Sequence, residues 1–532
     1  MQFQNIYTLF RSQTAKYGNT SVFFTRSGNG WESQTWLEFE DKVNDLACAF
    51  LAKGLTKGAS VAILAGNIPE WSICDLAAIA AGGVGVGIYP TSSTEQCEYV
   101  INHSDAEFVI VDSIVQLQKV ESIATGFTKV RQILCIEDGG FADFLNTGRS
   151  NRAELLPQIE AAATQAGSDD TAIMVYTSGT TGQPKGAMLS HRYVLNSVES
   201  LQRSVPIFES DKAISYLPSC HVAERISGIY NRLYNGTPAY FIDDLSKLYE
   251  YMLEIKPTVF ASLPRFFEKI HASVVSQKGA EYVTSQDVKD AFGGEIRLLT
   301  SGGAPLPLEI ANFFKRHELP ILQAYGLTEN ICVAFNTVTE HRFGTVGKAM
   351  PMCEIKIASD GEILIKGEMM FSGYYKEPEK TAEMFDADGW LKTGDLGELD
   401  TDGYLKITGR KKEIIVLSSG KNVAPALVEN YVKESHIVSH CFLFGDGHSY
   451  CVALITLNQL EAKGLDDIKV KAAIDAIVEK ANARVSGPEK IKKYVILDDD
   501  FSVERYEITP TMKLKRNVVA ANYKEVLEKL YE

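Results

Sequence analysis

Tyr176-Thr177-Ser178-Gly179-Thr180-Thr181-Gly182-Gln183-Pro184-Lys185-Gly186 is the stretch on which the reading of this chain turns. Three glycines, five hydroxyl side chains counting the tyrosine, and one lysine fall in these eleven residues. The apolar run Ala172-Ile173-Met174-Val175 precedes it and reads as a buried strand. Glycines let backbone N–H groups turn inward, hydroxyls add donors and the lysine adds positive charge, so the loop suits a polyphosphate. A loop rich in Gly, Ser and Thr is by itself usually a surface turn. One that follows a buried strand and closes on Pro-Lys-Gly seldom is. A Walker A loop would need Gly-Lys-Ser/Thr opening a helix. Here Pro184 disfavours helical backbone at Gln183, which argues against a P-loop ATPase or kinase.

The rest of the composition bounds the answer. The chain has 532 residues, 45% hydrophobic and 23% charged, enough for more than one core. Acidic residues number 68 against 53 basic ones, and a net charge of −15 makes nucleic acid an unfavourable partner. Nine cysteines are scattered singly with no Cys-x-x-Cys pair. That pattern suggests reduced thiols in a cytoplasmic protein and neither a zinc site nor a disulfide framework. Met1-Gln2-Phe3-Gln4-Asn5-Ile6-Tyr7 carries no basic segment ahead of an apolar run, so no signal peptide is expected. The longest apolar stretch, residues 76–89, is interrupted by four glycines. It falls short of the roughly twenty residues a membrane span needs. No transmembrane segment is expected, and any membrane association would be peripheral.

Segments 60–64, 84–88, 108–111 and 132–135 read as strands, and 69–81 reads as a helix with proline in its first turn. This β-α-β rhythm predicts layered α/β sheets with parallel strands. It returns at 213–217, 258–261 and 296–300, each ending in a Pro, Ser or Gly cluster where ligand loops sit in open α/β sheets. Past Tyr325 the texture changes. Residues 354–357 and 361–367 form a predicted hairpin, and the turn 400–403 joins strands at 390–395 and 403–407. The predicted organisation is an α/β protein with a large N-terminal domain, residues 1–408. It includes a β-rich subdomain, residues 344–408. A charged hinge at 409–413 leads to a smaller α+β C-terminal domain, residues 414–532. That domain is read as a helix at 423–434, strands at 439–444 and 451–457, a helix at 468–485, a strand at 494–497 and a last helix at about 516–530.

With these motifs in order, the chain resembles the adenylate-forming superfamily of acyl-CoA synthetases, luciferases and peptide-synthetase adenylation domains. The resemblance runs from about Asn5 to the C-terminus. It is most similar to the long-chain fatty acid–CoA ligases at Leu217-Pro218-Ser219-Cys220-His221-Val222-Ala223-Glu224-Arg225 and Pro264-Arg265-Phe266-Phe267-Glu268-Lys269-Ile270. Gly420-Lys421-Asn422-Val423-Ala424-Pro425 and Thr509-Pro510-Thr511-Met512-Lys513-Leu514-Lys515-Arg516 share that resemblance. The reaction it implies has two halves. A carboxylate attacks the α-phosphorus of ATP and expels pyrophosphate; a thiol then attacks the acyl-adenylate and expels AMP. Both halves develop charge on oxygen, so the site needs donors, cations and a metal more than a protein nucleophile. No Gly-x-Ser-x-Gly elbow is present.

The resemblance also implies roles. Thr177, Ser178, Gly179, Thr180, Thr181, Gly182 and Lys185 would hold the β- and γ-phosphates. In Tyr325-Gly326-Leu327-Thr328-Glu329, Tyr325 would stack on adenine, Gly326 would shape the anchor, Thr328 would bond the α-phosphate and Glu329 would bind Mg²⁺. A single carboxylate plus phosphate oxygens is a usual way to hold that ion. Gly302, Gly303 and Ala304 would lie beside adenine and the substrate carboxyl. Asp395 would accept both ribose hydroxyls, which suits an ionised carboxylate, with Arg410 in support. His221 would lie near the carboxylate, as a neutral donor or a cation; nothing marks Cys220 as a nucleophile. Lys513 would reach the α-phosphate, with Lys515 as the rival. The C-terminal domain would be mobile, rotating about Lys412 to bring the Gly420 loop in for the second half.

The acyl pocket is the least specified part. Residues 222–240 and 260–270 are rich in apolar and aromatic side chains, which fits a lipid tunnel and an ordinary core equally. The resemblance favours a medium- to long-chain fatty acid and CoA as the acceptor. An acyl-AMP ligase loading a carrier protein is an alternative. A catalytically dead nucleotide-binding regulatory protein is another, against which Lys185, Glu329, Asp395 and Lys513 stand. Monomer and homodimer are both open.

Overall fold

Strand Ser60–Leu64 is buried at every position, as a strand covered on both faces by helices must be. It is an inner strand of a seven-stranded sheet. From one edge the order is Gly373–Tyr374, Lys185–Ser190, Thr171–Thr177, Val84–Ile88, Ser60–Leu64, Ala106–Val111 and Gln132–Cys135. The last five run parallel, and Lys185–Ser190 returns antiparallel beside Thr171–Thr177. Helix Pro69–Ala80 starts with proline at its first turn and buries every residue except Glu70. The computed structural model describes residues 2–177, 183–435, 437–502, 505–509 and 514–532, without the side chain of Leu460.

A second sheet of nine strands lies alongside. Its parallel centre comprises Ile321–Leu327, Leu298–Ser301, Val259–Ser262, Ala213–Ser215 and Ala239–Phe241. Its far edge is a hairpin, Ser21–Ser27 with Gly30–Thr35, joined through Phe23 and Phe24 to Ala239 and Tyr240. A four-stranded antiparallel sheet follows, in the order Cys353–Ile357, Glu362–Gly367, Leu391–Leu399 and Leu405–Arg410. The small C-terminal domain has its own core under strands Val438–Phe444, Cys451–Leu457 and Ile491–Leu497. Arg265 reaches across from the large domain, donating to the Ser439 carbonyl at 3.2 Å. The α/β class, the large domain with its β-rich part and the small C-terminal domain are as the sequence predicts.

Three local features differ from the sequence reading. The last helix is two, Arg516–Asn522 and Lys524–Lys529, broken at Tyr523, whose ring packs edge-on to Phe501. Helix Gly140–Gln165 carries too polar a pattern to stand out, yet it packs along Trp36–Ala52. Its Gly148 lies against the Asp45 carbonyl so closely that a Cβ there would sit 1.6 Å from that oxygen. Residues Ala223–Tyr230 wind as a π-helix, a form often met at functional sites. Its Arg225 is fully buried against Asp75, with Nε donating to Oδ2 at 3.1 Å. The guanidinium also donates to the carbonyls of Met174 and Gly85, and Tyr230 donates to Asp75 at 2.6 Å. That cluster pins the π-helix to the first sheet. Among the described residues no helix is long and apolar enough to cross a membrane.

Candidate functional site

Two strands deliver the phosphate-loop residues that the structure describes. Thr177 closes one strand and Lys185 opens the next, and the two stand directly opposite each other in the ladder. Lys185 thus begins a strand and no helix, unlike the lysine of a Walker A loop. Ser178, Gly179, Thr180, Thr181 and Gly182 lie outside the described residues. The Lys185 ammonium sits 4.7 Å from the centroid of the Tyr374 ring, a cation–π distance. The Tyr374 hydroxyl donates to Glu329 Oε1. One phenol therefore joins the loop lysine to the carboxylate predicted to face a metal. Glu329 is otherwise buried, and its carbonyl accepts from the Phe371 N–H at 2.9 Å. Burial, then the neighbouring Glu329 charge, push the Tyr374 phenol far above its ordinary range, so it stays a donor.

Thr328 and Glu329 follow strand Ile321–Leu327. Tyr193, fully buried on helix His191–Ser204, donates to the Thr328 carbonyl at 3.0 Å and accepts from the Ile331 N–H at 2.9 Å. The turn is thus anchored from both sides. Gly326 is obligatory there, because a Cβ would sit 2.0 Å from the Ile331 carbonyl oxygen. The turn of Gly302, Gly303 and Ala304 follows strand Leu298–Ser301, with Gly302 beside Ala324 and Gly303 beside Leu263.

A second cluster forms where Tyr325 meets the four-stranded sheet. Its hydroxyl donates to Asp395 Oδ2 at 2.6 Å, and Arg410 Nε donates to Oδ1 at 2.9 Å. Asp395 and Arg410 face each other across the strand pair. Burial first, then the Asp395 charge, hold the Tyr325 phenol well above its usual range. Asp395 itself is 6% exposed, so this is a carboxylate held in fixed orientation with lone pairs left over for further donors.

His221 is oriented separately. The Ala223 N–H donates to its Nδ1 at 3.1 Å, so that nitrogen is unprotonated and the proton is on Nε2. Of the two forms the sequence left open, this contact fits the neutral one. Cys220 is buried, and burial pushes its thiol up to about 12, well away from nucleophilic use. Lys412 lies in the single turn Lys411–Glu413. Gly420, at φ 76°, closes the hairpin between Ile415–Val416 and Asn422–Val423. Lys513 lies outside the described residues. Its rival Lys515 is held within the C-terminal domain, its N–H on the Glu507 carbonyl at 2.8 Å and its ammonium over Tyr506.

The family comparison matches this layout along the chain. Residues 10–375 match the model of the AMP-binding enzymes, and residues 412–532 match that of the AMP-binding enzyme C-terminal domain. The chain belongs to the AMP-binding enzyme family. This AMP-binding enzyme is 32% identical to a long-chain-fatty-acid–CoA ligase of Mycobacterium bovis, over 96% of this chain and 94% of that one. It is 31% identical to a long-chain-fatty-acid–CoA ligase of Gallus gallus, over 99% of this chain and 81% of that one. The fold is shared with ATP-bound MatB of Rhodopseudomonas palustris, at a TM-score of 0.77 and 24% identity over 98% of this chain and 100% of that one. The enzyme is therefore an adenylate-forming, acyl-activating one that uses ATP.

Tyr374, Tyr193 and Asp75 were not read from sequence as site residues. Their neighbours are remote in the chain: Tyr374 is 45 residues from Glu329, and Asp75 is 150 from Arg225. The pairing that sets Gly373-Tyr374 beside the loop lysine's strand is itself tertiary, so no local signal marked Tyr374.

Proposed function

We propose that this enzyme is an ATP-dependent fatty acid–CoA ligase with a preference for medium- to long-chain acids. The observation that carries the reading is the likeness to long-chain-fatty-acid–CoA ligases along nearly the whole chain. In the first half-reaction the fatty carboxylate attacks the α-phosphorus and pyrophosphate leaves. Thr177, Lys185 and the intervening loop hold the departing phosphates, and Thr328 holds the α-phosphate. Lys513 neutralises the developing charge. Tyr325 stacks on adenine beside Gly302, Gly303 and Ala304, while Asp395 and Arg410 hold the ribose. His221, as the Nε2–H tautomer, donates toward the acyl carboxylate. In the second half the CoA thiol attacks the acyl carbon and AMP leaves, after rotation of residues 414–532 about Lys412 brings the Gly420 loop in. Any membrane contact is peripheral.

The residues present fit Mg²⁺. Glu329 offers a carboxylate with one oxygen held by Tyr374, next to the phosphate-loop lysine, and Mg²⁺ is usually bound by one or two carboxylates with phosphate oxygens. When bound, the ion supplies charge neutralisation at the leaving pyrophosphate. Glu329→Gln is expected to raise the Mg²⁺ concentration for half-maximal pyrophosphate release by about tenfold or more. Tyr374→Phe is expected to raise it less, because it frees the carboxylate without removing it. A magnesium titration of pyrophosphate release measures both, and unchanged dependence in Glu329→Gln removes it as the ligand.

Lys412→Pro is expected to separate the two halves, since proline holds φ near about −65°. Adenylate formation, or thioester formation from supplied acyl-adenylate, should fall by at least about tenfold while the other is largely kept. Normal rates in both halves would place the pivot elsewhere. The function as a whole is tested with a panel of carboxylic acids assayed for pyrophosphate release with and without CoA. Medium- to long-chain acids should be best and turnover should depend on CoA. Release that ignores CoA and loads a carrier protein selects the carrier-protein ligase, and no acid-dependent release selects a dead nucleotide-binding protein.

A further inference from the structure

The four-stranded sheet carries an irregularity at Asp395. Glu362 pairs with Leu396, yet Leu364 pairs with Lys392. Ile363 on one strand thus faces Thr393, Gly394 and Asp395 on the other. Such bulges bend a strand and re-aim a side chain. Four bonds define this one. Thr393 Oγ1 donates to the Ile363 carbonyl at 2.8 Å, and the Asp395 N–H donates back to Thr393 Oγ1 at 3.1 Å. Gly394 takes φ 72°, and its N–H donates to Glu362 Oε1 at 2.9 Å. The other oxygen, Glu362 Oε2, accepts from the Lys411 ammonium at 2.7 Å. Glu362 is 6% exposed, so its charge depends on these partners. Lys411 also reaches Asp360 at 2.6 Å, but that carboxylate is half exposed and contributes less.

Both residues ahead of Lys412 are therefore tied to one turn. Arg410 holds the Asp395 carboxylate directly, and Lys411 holds Gly394 through Glu362. We infer that Glu362 and Lys411 are positioning residues that brace the Asp395 turn against the stationary side of the hinge, so that the ribose grip and the pivot are set by one buried carboxylate. The inference rests on the reading of Asp395 as the ribose acceptor and of Lys412 as the pivot. The chain is rigid up to Lys411, and rotation begins at the next residue. Loss of the brace lets the Gly394 turn relax and takes Asp395 off the diol by a small shift that keeps its bond from Tyr325, so the adenine and phosphate contacts stay.

Binding of AMP and of 2′,3′-dideoxy-AMP to the full chain, followed by calorimetry, tests this without needing an acyl substrate. Glu362→Gln keeps the shape and removes the charge. Lys411→Met removes the cation and leaves Glu362, and serves if the first variant does not fold. Each is expected to weaken AMP binding by about tenfold and to leave dideoxy-AMP binding within about twofold of wild type. Lys411→Arg should restore most of the loss, and Asp360→Asn should cause little. Amide hydrogen exchange at residues 405–413 should quicken in the first two variants. Equal weakening of both nucleotides, or AMP binding as in wild type, overturns the brace. A wild-type chain that prefers neither nucleotide removes the ribose role of Asp395 and the brace with it. Failure of the acid panel beside a normal AMP preference sinks the ligase reading alone.

Discussion

Asp395→Ala is expected to reduce adenylate formation by about 10²–10³-fold, mainly as a raised requirement for ATP. The carboxylate accepts from Tyr325 at 2.6 Å and from Arg410 at 2.9 Å, and in the proposed complex it also accepts from the ribose. A hydrogen bond to a charged group is worth about 1.5–3 kcal/mol, and each 1.36 kcal/mol at the transition state is about tenfold in rate. Loss of the diol's two bonds therefore corresponds to about two to four decades, and the expected loss stands at the lower end because water replaces the lost acceptor in part. The change also leaves the buried Tyr325 hydroxyl and the Arg410 guanidinium without their acceptor, which loosens the ring meant to stack on adenine. Asp395→Asn keeps an acceptor and should lose less. Pyrophosphate release across a range of ATP concentrations measures both. A fall under about tenfold in Asp395→Ala, with the fold intact by circular dichroism, removes Asp395 from the ribose.

Arg225→Met is expected to destabilise the large domain by about 3–5 kcal/mol, the usual cost of breaking a buried ion pair from one side. Arg225 is completely buried and Asp75 is 1% exposed. Without the guanidinium, Asp75 keeps only the Tyr230 hydroxyl among the contacts described above, and the carbonyls of Met174 and Gly85 lose a donor. Met174 precedes the phosphate-loop strand's end, and the π-helix of Arg225 follows His221, so the same change should also slow adenylation. Asp75→Leu combined with Arg225→Met should recover much of the stability, because removing both charges avoids the unpaired one. Urea unfolding followed by tryptophan fluorescence reads the loss. Tryptophans 31, 36, 71 and 390 all lie in the large domain, so the signal is not confused by the small one. A loss under about 1 kcal/mol would mean that the pair does not secure the π-helix.

The order of elements was legible because it rests on short-range patterns. Segments 84–88 and 132–135 coincide with strands Val84–Ile88 and Gln132–Cys135, being apolar runs bounded by turn residues. The edge hairpin Ser21–Thr35 was not legible: its pattern mixes charge and aromatic residues, and its partners Ala239 and Tyr240 lie over two hundred residues away. The break at Tyr523 was missed for a similar reason, since helical spacing continues through it and only packing against Phe501 marks the interruption. Among candidate site residues, Lys185, Glu329, Asp395 and Arg410 stood out through their motifs. Their partners Tyr374 and Glu362 did not, because no local rule links a phenol or a carboxylate to a motif dozens of residues away.

By itself, then, the amino-acid sequence determined the α/β class, the parallel rhythm of the sheets, the departure of the loop at 176–186 from a Walker A motif, and the resemblance to adenylate-forming enzymes. These follow from backbone sterics and hydrophobic period, which act over a few residues. Tertiary structure alone decided which tyrosine stands between Lys185 and Glu329, which His221 nitrogen accepts from the backbone, and which carboxylate joins Lys411 to the Gly394 turn. Those are matters of a few ångströms between side chains remote in the chain, and hydrogen bonds of that kind exist only once the sheets have packed.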